Sequence, residues 1–489
     1  MAHKTQTNAD DHSWMLPIEV MLGSIIHREV QACSICWVPH KLRKQNEDAH
    51  KPKTVALGPL HRGTRSDLLL MEEPKWHYMR FLLHRAGNPD EERSLLLLKG
   101  EPKWHYMQFL YQRAGNRDEL RRPEVRLKNC GSAILALDNV VRAIYGGNIE
   151  LEPHELAKIM LLDGCFLLEL LLRLRKHMTM QNPNEGDFSD DPIFKNEEKR
   201  FSVLTDLNLL ENQIPFIVLK KLYSIIFPVL DLTLENDHRV ADLVQNAFGY
   251  HLVQSSSAAH LLHLVHSSIV LEESESNQAS QELKRCATKL RAAGITIQPA
   301  NSTSRSEFVD IFDFNIKLIG RVLVIPPLHI REKTEVYWRN FIAWEQSRIG
   351  IGCKFTSYAL FFKGLVCCEH DIKLLEKNKL IINEAKKSRE DLLKLFHTIT
   401  EGVDHMDSSY SELCMSLNKY SSANPLKKWP IITWHHWNRI LAINMFYWEN
   451  WYHILVRDHI PTVWKLIGVL AAGALLALTV VQTYYAVRS

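Results

Sequence analysis

The sequence predicts a mainly α-helical globular body carrying a small β-hairpin, followed by one C-terminal transmembrane helix. Three observations predict this. Apolar residues recur at helical spacing through most of the 489-residue chain, one stretch alternates with period two, and a late 22-residue stretch is apolar and uncharged. Hydrophobic residues make up 46% and charged residues 24%, ordinary values for a folded protein. The net charge of +3 gives no electrostatic footprint for a nucleic acid. Nine cysteines, an odd number scattered among apolar runs, fit reduced thiols better than a disulfide framework.

Residues 1–34 read as a polar tail, acidic where a secretory signal needs a basic start, so no cleavable signal is expected. The helical family-sized domain follows over 35–430. Within it, residues 65–91 and 93–119 share 20 identities in 27 positions. Each copy holds one helix and its loop. Pro74 or Pro102 opens the helix, Trp76/Met79/Leu83 or Trp104/Met107/Tyr111 form its apolar stripe, and Gly87 or Gly115 closes it. A stacked array needs at least about three units, so two copies read as a tandem duplication and not as the functional feature.

The stretch from Glu152 to Met178 is a core helix with Pro153 in its first turn and basic residues at its end. Asp206 to Phe227 is a second buried segment, broken at Pro215. Polar runs beginning at Gln181, Glu272 and Gln298 read as surface loops. Phe312, Phe314, Ile316 and Leu318 alternate with polar residues as a strand does, and Gly320-Arg321 turns the chain into Val322–Ile325.

Residues 431–464 hold an aromatic juxtamembrane helix with Trp437, Leu441, Trp448, Trp451, Tyr452 and Leu455 near one face, suited equally to a bilayer surface or to packing on the body. The anchor occupies 465–488. Leu466 to Val487 would span about 33 Å as a helix, enough for a hydrocarbon core of about 30 Å. Trp464 and Lys465 mark one boundary, and Tyr484, Tyr485 and Arg488 the other. Gly468 with Ala472, and Gly473 with Ala477, are small-xxx-small pairs that would permit homo-oligomers through the anchor. With two residues after the span and no signal ahead, the expected arrangement is tail-anchored and single-pass, with the large N-terminal part in the cytosol.

The candidate sites are few. Cys33, Cys36 and His40 look like half a zinc site, but no second pair supplies the rest. The "HELAK" run at His154 lacks a second histidine, and no phosphate-binding loop, dinucleotide signature or nucleophile elbow is present. His435-His436 carry no ligand pattern, and His260, His263 and His266 share a helix face with no evident carboxylate partner. Asp163 and Glu211 stand out as acids inside apolar runs; the reading favoured here is structural, holding helices in register.

The ordered motifs resemble those of the plant domain-of-unknown-function family 247, also called the UPF0481 group. They include "VPHKLRKQNEDAHKPKTVALGPLHRG" from Val38, "MEEPKWHYM" from Met71, "MLLDGCFLLEL" from Met160 and "DLNLLENQIPFIVLKKL" from Asp206. "ATKLRAAGITI" from Ala287, "IPPLHI" from Ile325, "TEVYWRNFIAWEQ" from Thr334, "TSYALFFKGL" from Thr356 and "ALTVVQTYYAV" from Ala477 continue the order. The resemblance marks Asp163, Gly164, Cys165, Phe166, Glu211, Asn212, Gln213, Pro215, Glu345 and Gln346 as structural motif residues. Two departures stand out: the "MEExKW" helix is doubled, and Gly131 replaces the usual aromatic after Cys130. The resemblance implies a largely helical protein with a C-terminal membrane segment and no established enzymatic activity. Some grass members are associated with pollen–stigma self-incompatibility, and so with recognition.

The reading is a membrane-anchored plant protein of unassigned activity that binds an unidentified protein partner, without catalysis, cofactor, metal or nucleic acid. The alternative is a membrane-tethered enzyme using the buried carboxylates and histidines, a reading that gains if Asp163 and Glu211 share one solvent-connected cleft with a histidine in reach.

Overall fold

A computed structural model describes residues 33–85, 123–146, 149–179, 191, 193–227, 236–248, 258–270, 281–300, 312–348, 351–404 and 406–420, with isolated positions at 471, 475, 478 and 479. The helices are α1 (His40–Arg43), α2 (Glu72–Arg85), α3 (Pro123–Leu135), α4 (Asp138–Ile144), α5 (Pro153–Thr179), α6 (Glu197–Asp206), α7 (Phe216–Ile226) and α8 (Asn236–Phe248). They continue with α9 (Leu261–Ile269), α10 (Ala287–Ala292), α11 (Thr334–Gln346), α12 (Lys354–Leu365), α13 (Glu369–Lys377), α14 (Arg389–Thr398) and α15 (Ser411–Lys419). Two short 3-10 helices, Glu47–His50 and Asp67–Met71, and five short strands complete the described elements: β1 (Thr296–Pro299), β2 (Lys317–Ile319), β3 (Val322–Ile325), β4 (Leu328–Ile330) and β5 (Ile381–Asn383).

Helix α5 is the axis of the N-terminal half. Its leucines repeat so densely that Leu162 and the run from Cys165 to Leu172 are all buried, and α2, α3, α7 and α8 pack around it. Gly164 is what lets α7 approach: a methyl group there would lie 2.6 Å from Leu222 Cδ1. Pro215 caps the start of α7, so the break expected there is a helix start preceded by an irregular segment.

In the C-terminal half, α11 and α12 enclose an aromatic cluster. Phe341 stacks on Phe355 with centroids 4.3 Å apart, and Phe312 and Phe314 meet Phe355 edge-on at 5.2 and 4.9 Å. The expected hairpin is present as β2 and β3 but is shorter and not isolated. Phe312 and Phe314 have the expected alternating burial, yet their rings enter the aromatic cluster and they lie outside the strand ladder. β3 also pairs in parallel with β1, so Gln298 and Pro299 are strand residues and not the start of a loop. A second parallel pair joins β4 to β5.

Helix α2 corrects the first-copy stripe. Met79 and Leu83 are buried as expected, but Trp76 is 49% exposed and Lys75 is buried in its place. The helix also starts at Glu72, two residues before Pro74. At Gly131 in α3 an added side chain would meet nothing within 4 Å. The second copy, most of the loops from Gln181 and Glu272, His435-His436, the aromatic segment 431–464 and most of the anchor, including Trp464, Lys465, Leu466, Gly468, Ala472, Gly473 and Val487, lie outside the described residues, but Asp191 of the first loop is described and is buried, not on the surface. Among the described residues no helix is long and apolar enough to cross a membrane.

Candidate functional site

An irregular strap, Lys53–His61, runs through the interior of the N-terminal half without helix or sheet partners. Buried backbone groups must be paired, so its hydrogen bonds have to come from side chains. Asp206, at the end of α6, accepts from the N–H groups of Lys53, Thr54 and Val55 at 3.0, 2.6 and 2.9 Å. Asn212 behaves as a neighbouring strand would: its Oδ1 accepts from Leu57 N–H at 2.6 Å and its Nδ2 donates to Val55 O at 3.0 Å. Asp163 on α5 accepts from Gly58 N–H at 2.9 Å, and the Lys75 ammonium donates to Ala56 O at 2.6 Å.

Gly58 has φ +68°, and a side chain there would collide with the Tyr145 hydroxyl, which itself donates to Gln213 O at 2.8 Å. Gln213 also donates to Leu207 O and Leu209 O and accepts from Leu262 N–H, closing the turn between α6 and α7. The preceding residues are held in the same manner. Asn340 of α11 donates to Ala49 O at 2.8 Å and accepts from Leu210 N–H at 3.1 Å, with His50 Nδ1 3.3 Å away.

The two acids singled out in the sequence belong to this clamp, and both are fully buried. Asp163 lies 2.7 Å from the Lys75 ammonium, which also pairs with Glu72 at 2.9 Å. Burial pushes the Asp163 carboxyl upward, and Lys75 opposes that rise. Glu211 accepts from Val38 N–H at 2.8 Å and is paired with the Arg43 guanidinium and with His61 Nε2 at 2.9 Å. Burial would raise its pKa, but the donors from His61, Arg43 and Val38 prevail and hold it below the usual range. A histidine is therefore in reach of Glu211, and it is 4% exposed. Cys165 and Phe166 face the core, where burial raises the Cys165 thiol and Phe166 lies 5.2 Å from the Tyr78 ring.

The expectation that the α9 histidines lack a carboxylate partner is overturned. Glu345, 79 residues away, lies 2.9 Å from His266 Nε2. The same carboxylate accepts from the N–H groups of Phe355 and Thr356 and from the Thr356 hydroxyl, at 2.9, 2.8 and 2.7 Å. It is a remote cap for the N-terminus of α12. Gln346 accepts from Asp404 N–H at 2.9 Å and tethers that loop. His260 caps α9 and meets Trp344 edge-on at 4.6 Å.

A further cluster was not foreseen. Cys286, Cys367 and Asp371 bring their ligand-type atoms within 4.8 Å of one another. The first is the residue before α10, the second precedes α13, and the third lies in the first turn of α13. Cys33 and Cys36, by contrast, belong to no such group among the described residues. Cys33 takes a positive φ of 53°, and burial pushes the Cys36 thiol up to about 11.

The comparisons fit this framework. A family described as "Plant protein of unknown function", domain-of-unknown-function family 247, matches residues 35–100 and again 93–478. The second match begins at the first residue of the second repeat copy, so the duplication interrupts the family pattern. UPF0481 protein At3g47200 of Arabidopsis thaliana is 25% identical over 487 residues, covering 94% of this chain and 87% of that protein. No solved structure matches.

Proposed function

We propose, from the premise that this chain belongs to the plant domain-of-unknown-function family 247, that it is a membrane-anchored, non-catalytic protein that works by binding another protein. The observation that carries the non-catalytic part is the state of its buried acids. Asp163, Glu211 and Glu345 are each occupied by donors of the fold itself. Asp191 repeats the pattern, accepting from Tyr78, Arg173 and two backbone N–H groups. Such acids specify structure, whereas a general acid or base needs an oxygen within reach of substrate. The anchoring part rests on the uncharged Leu466–Val487 segment and its aromatic and basic flanks.

The test is insertion of the full chain into microsomes, followed by carbonate extraction, external protease and chemical cross-linking. The expected result is a carbonate-resistant protein whose body is digested from outside, with Asn301 unglycosylated and a discrete cross-linked partner. Extraction by carbonate would overturn the anchor. Glycosylation at Asn301 would overturn the cytosolic placement of the body, and a body without any discrete cross-linked partner would overturn the binding role.

A further inference from the structure

The thiols of Cys286 and Cys367 are 81 residues apart in sequence and are brought together by one buried carboxylate. Asp371 divides its oxygens between two elements. Oδ1 accepts from Thr288 N–H at 2.8 Å and from the Thr288 hydroxyl at 2.5 Å, which fixes it to the start of α10. Oδ2 faces the sulfurs: it accepts from Cys367 N–H at 3.1 Å, from the Cys367 thiol at 2.9 Å and from the Cys368 thiol at 3.4 Å. Asp371 and Cys286 are buried, while Cys367 reaches solvent, so the cluster has a closed back and an open front.

We propose that Cys286, Cys367 and Asp371 form a three-ligand site for a thiophilic divalent cation of the zinc class, with its fourth coordination position facing solvent. The chemistry of the set argues for this assignment. Two sulfurs and one carboxylate oxygen select a borderline-soft ion over magnesium or calcium, which take oxygen ligands. Ligand atoms around a tetrahedral zinc stand roughly 3.5–4 Å apart, from bond lengths of about 2.0–2.3 Å, so a set already within 4.8 Å needs a small side-chain adjustment to close. The Thr288 contacts orient the carboxylate, as the supports of metal ligands commonly do. Binding replaces the S–H···Oδ2 contact with bonds to the cation. Each ligating thiol loses one proton to solvent and the carboxylate loses none, so the step needs no oxidant or reductant.

The experiment uses full-length protein in detergent, reduced and stripped of metal by a chelator, with Co2+ as probe and Zn2+ as competitor. The expected result is a single Co2+ per chain, with thiolate-to-cobalt charge-transfer absorption and tetrahedral visible bands that Zn2+ abolishes. Cys286→Ser and Cys367→Ser should remove the charge-transfer signal, and Thr288→Val should weaken binding by roughly tenfold. Peptide-resolved alkylation of the unmodified sequence covers the case in which those variants do not fold: Zn2+ should protect Cys286 and Cys367 and leave Cys33 reactive. Absence of charge-transfer absorption while all thiols remain reduced would overturn the proposal. So would a Cys286–Cys367 disulfide in freshly isolated protein, seen as a mass lower by two hydrogens.

Discussion

The path of the Lys53–His61 strap is fixed by hydrogen bonds and ion pairs, whereas Trp338 and Phe355 sit among ring edges and faces. Trp338 makes its indole bond to Phe355 O at 3.1 Å, and its ring neighbours are Phe312, Tyr358, Phe362 and Phe396. The strap has no regular structure to define its path, so directional polar partners at Asp206, Asn212 and Asp163 define it. The aromatic cluster already has α11 and α12 as walls, and Glu345 and the Trp338 indole pair the backbone groups of Phe355. The difference teaches where the molecule tolerates change. Shape-preserving swaps should be harmless in the rings and harmful in the clamp.

The sharpest way to break that comparison is Lys75→Met, which keeps length and removes charge. It leaves the Asp163 carboxylate buried without its counter-charge, so a loss of about 3–5 kcal/mol is expected by denaturant titration. A Lys75→Met/Asp163→Asn double variant should recover part of that loss; an additive result would show that the pair is not coupled. Gly58→Ala comes next, at about 2–4 kcal/mol, because it combines a positive φ with a collision at the Tyr145 hydroxyl. Phe355→Leu, which removes the ring stacked on Phe341, should cost about 1–3 kcal/mol by the same measurement. A larger loss there than at Lys75 would reverse the comparison.

A separate expected effect is a pH dependence from His50. Burial depresses its pKa from 6.5 to about 4, despite the Asn340 contact that favours its charged form. The unfolded chain therefore binds this proton more readily than the folded one. The contribution is present above pH 6.5 and is lost as pH falls toward 4. His50→Gln should flatten this part of the stability profile relative to the unmodified chain. Identical slopes for the two proteins would assign the acid loss elsewhere.

Local periodicity made α5 readable almost to its ends, because Pro153, the leucine spacing and the terminal basic residues all act within the helix itself. The turn at Gly320 was readable for the same reason. The clamp was visible only as its acids. Asp163 and Glu211 stood out in apolar runs, but their partners Gly58 and His61 lie 105 and 150 residues away in a segment with no period to read. Trp76 was misplaced because a helical stripe cannot reveal that Lys75, one residue earlier, is buried on an ion pair. The His266–Glu345 contact and the Cys286–Asp371 grouping are likewise long-range, and single residues at such distances carry no spacing signal.

The clamp also sets an order of events during synthesis. Ala49 waits for Asn340, 291 residues later, before its carbonyl is paired. At about 5–20 residues per second that interval is roughly 15–60 s of translation. The residues just ahead of the strap are thus among the first described parts of the chain to leave the ribosome and among the last to be seated. A nascent chain halted before α11 would present the residues around Ala49 unpaired, a state open to capture by chaperones.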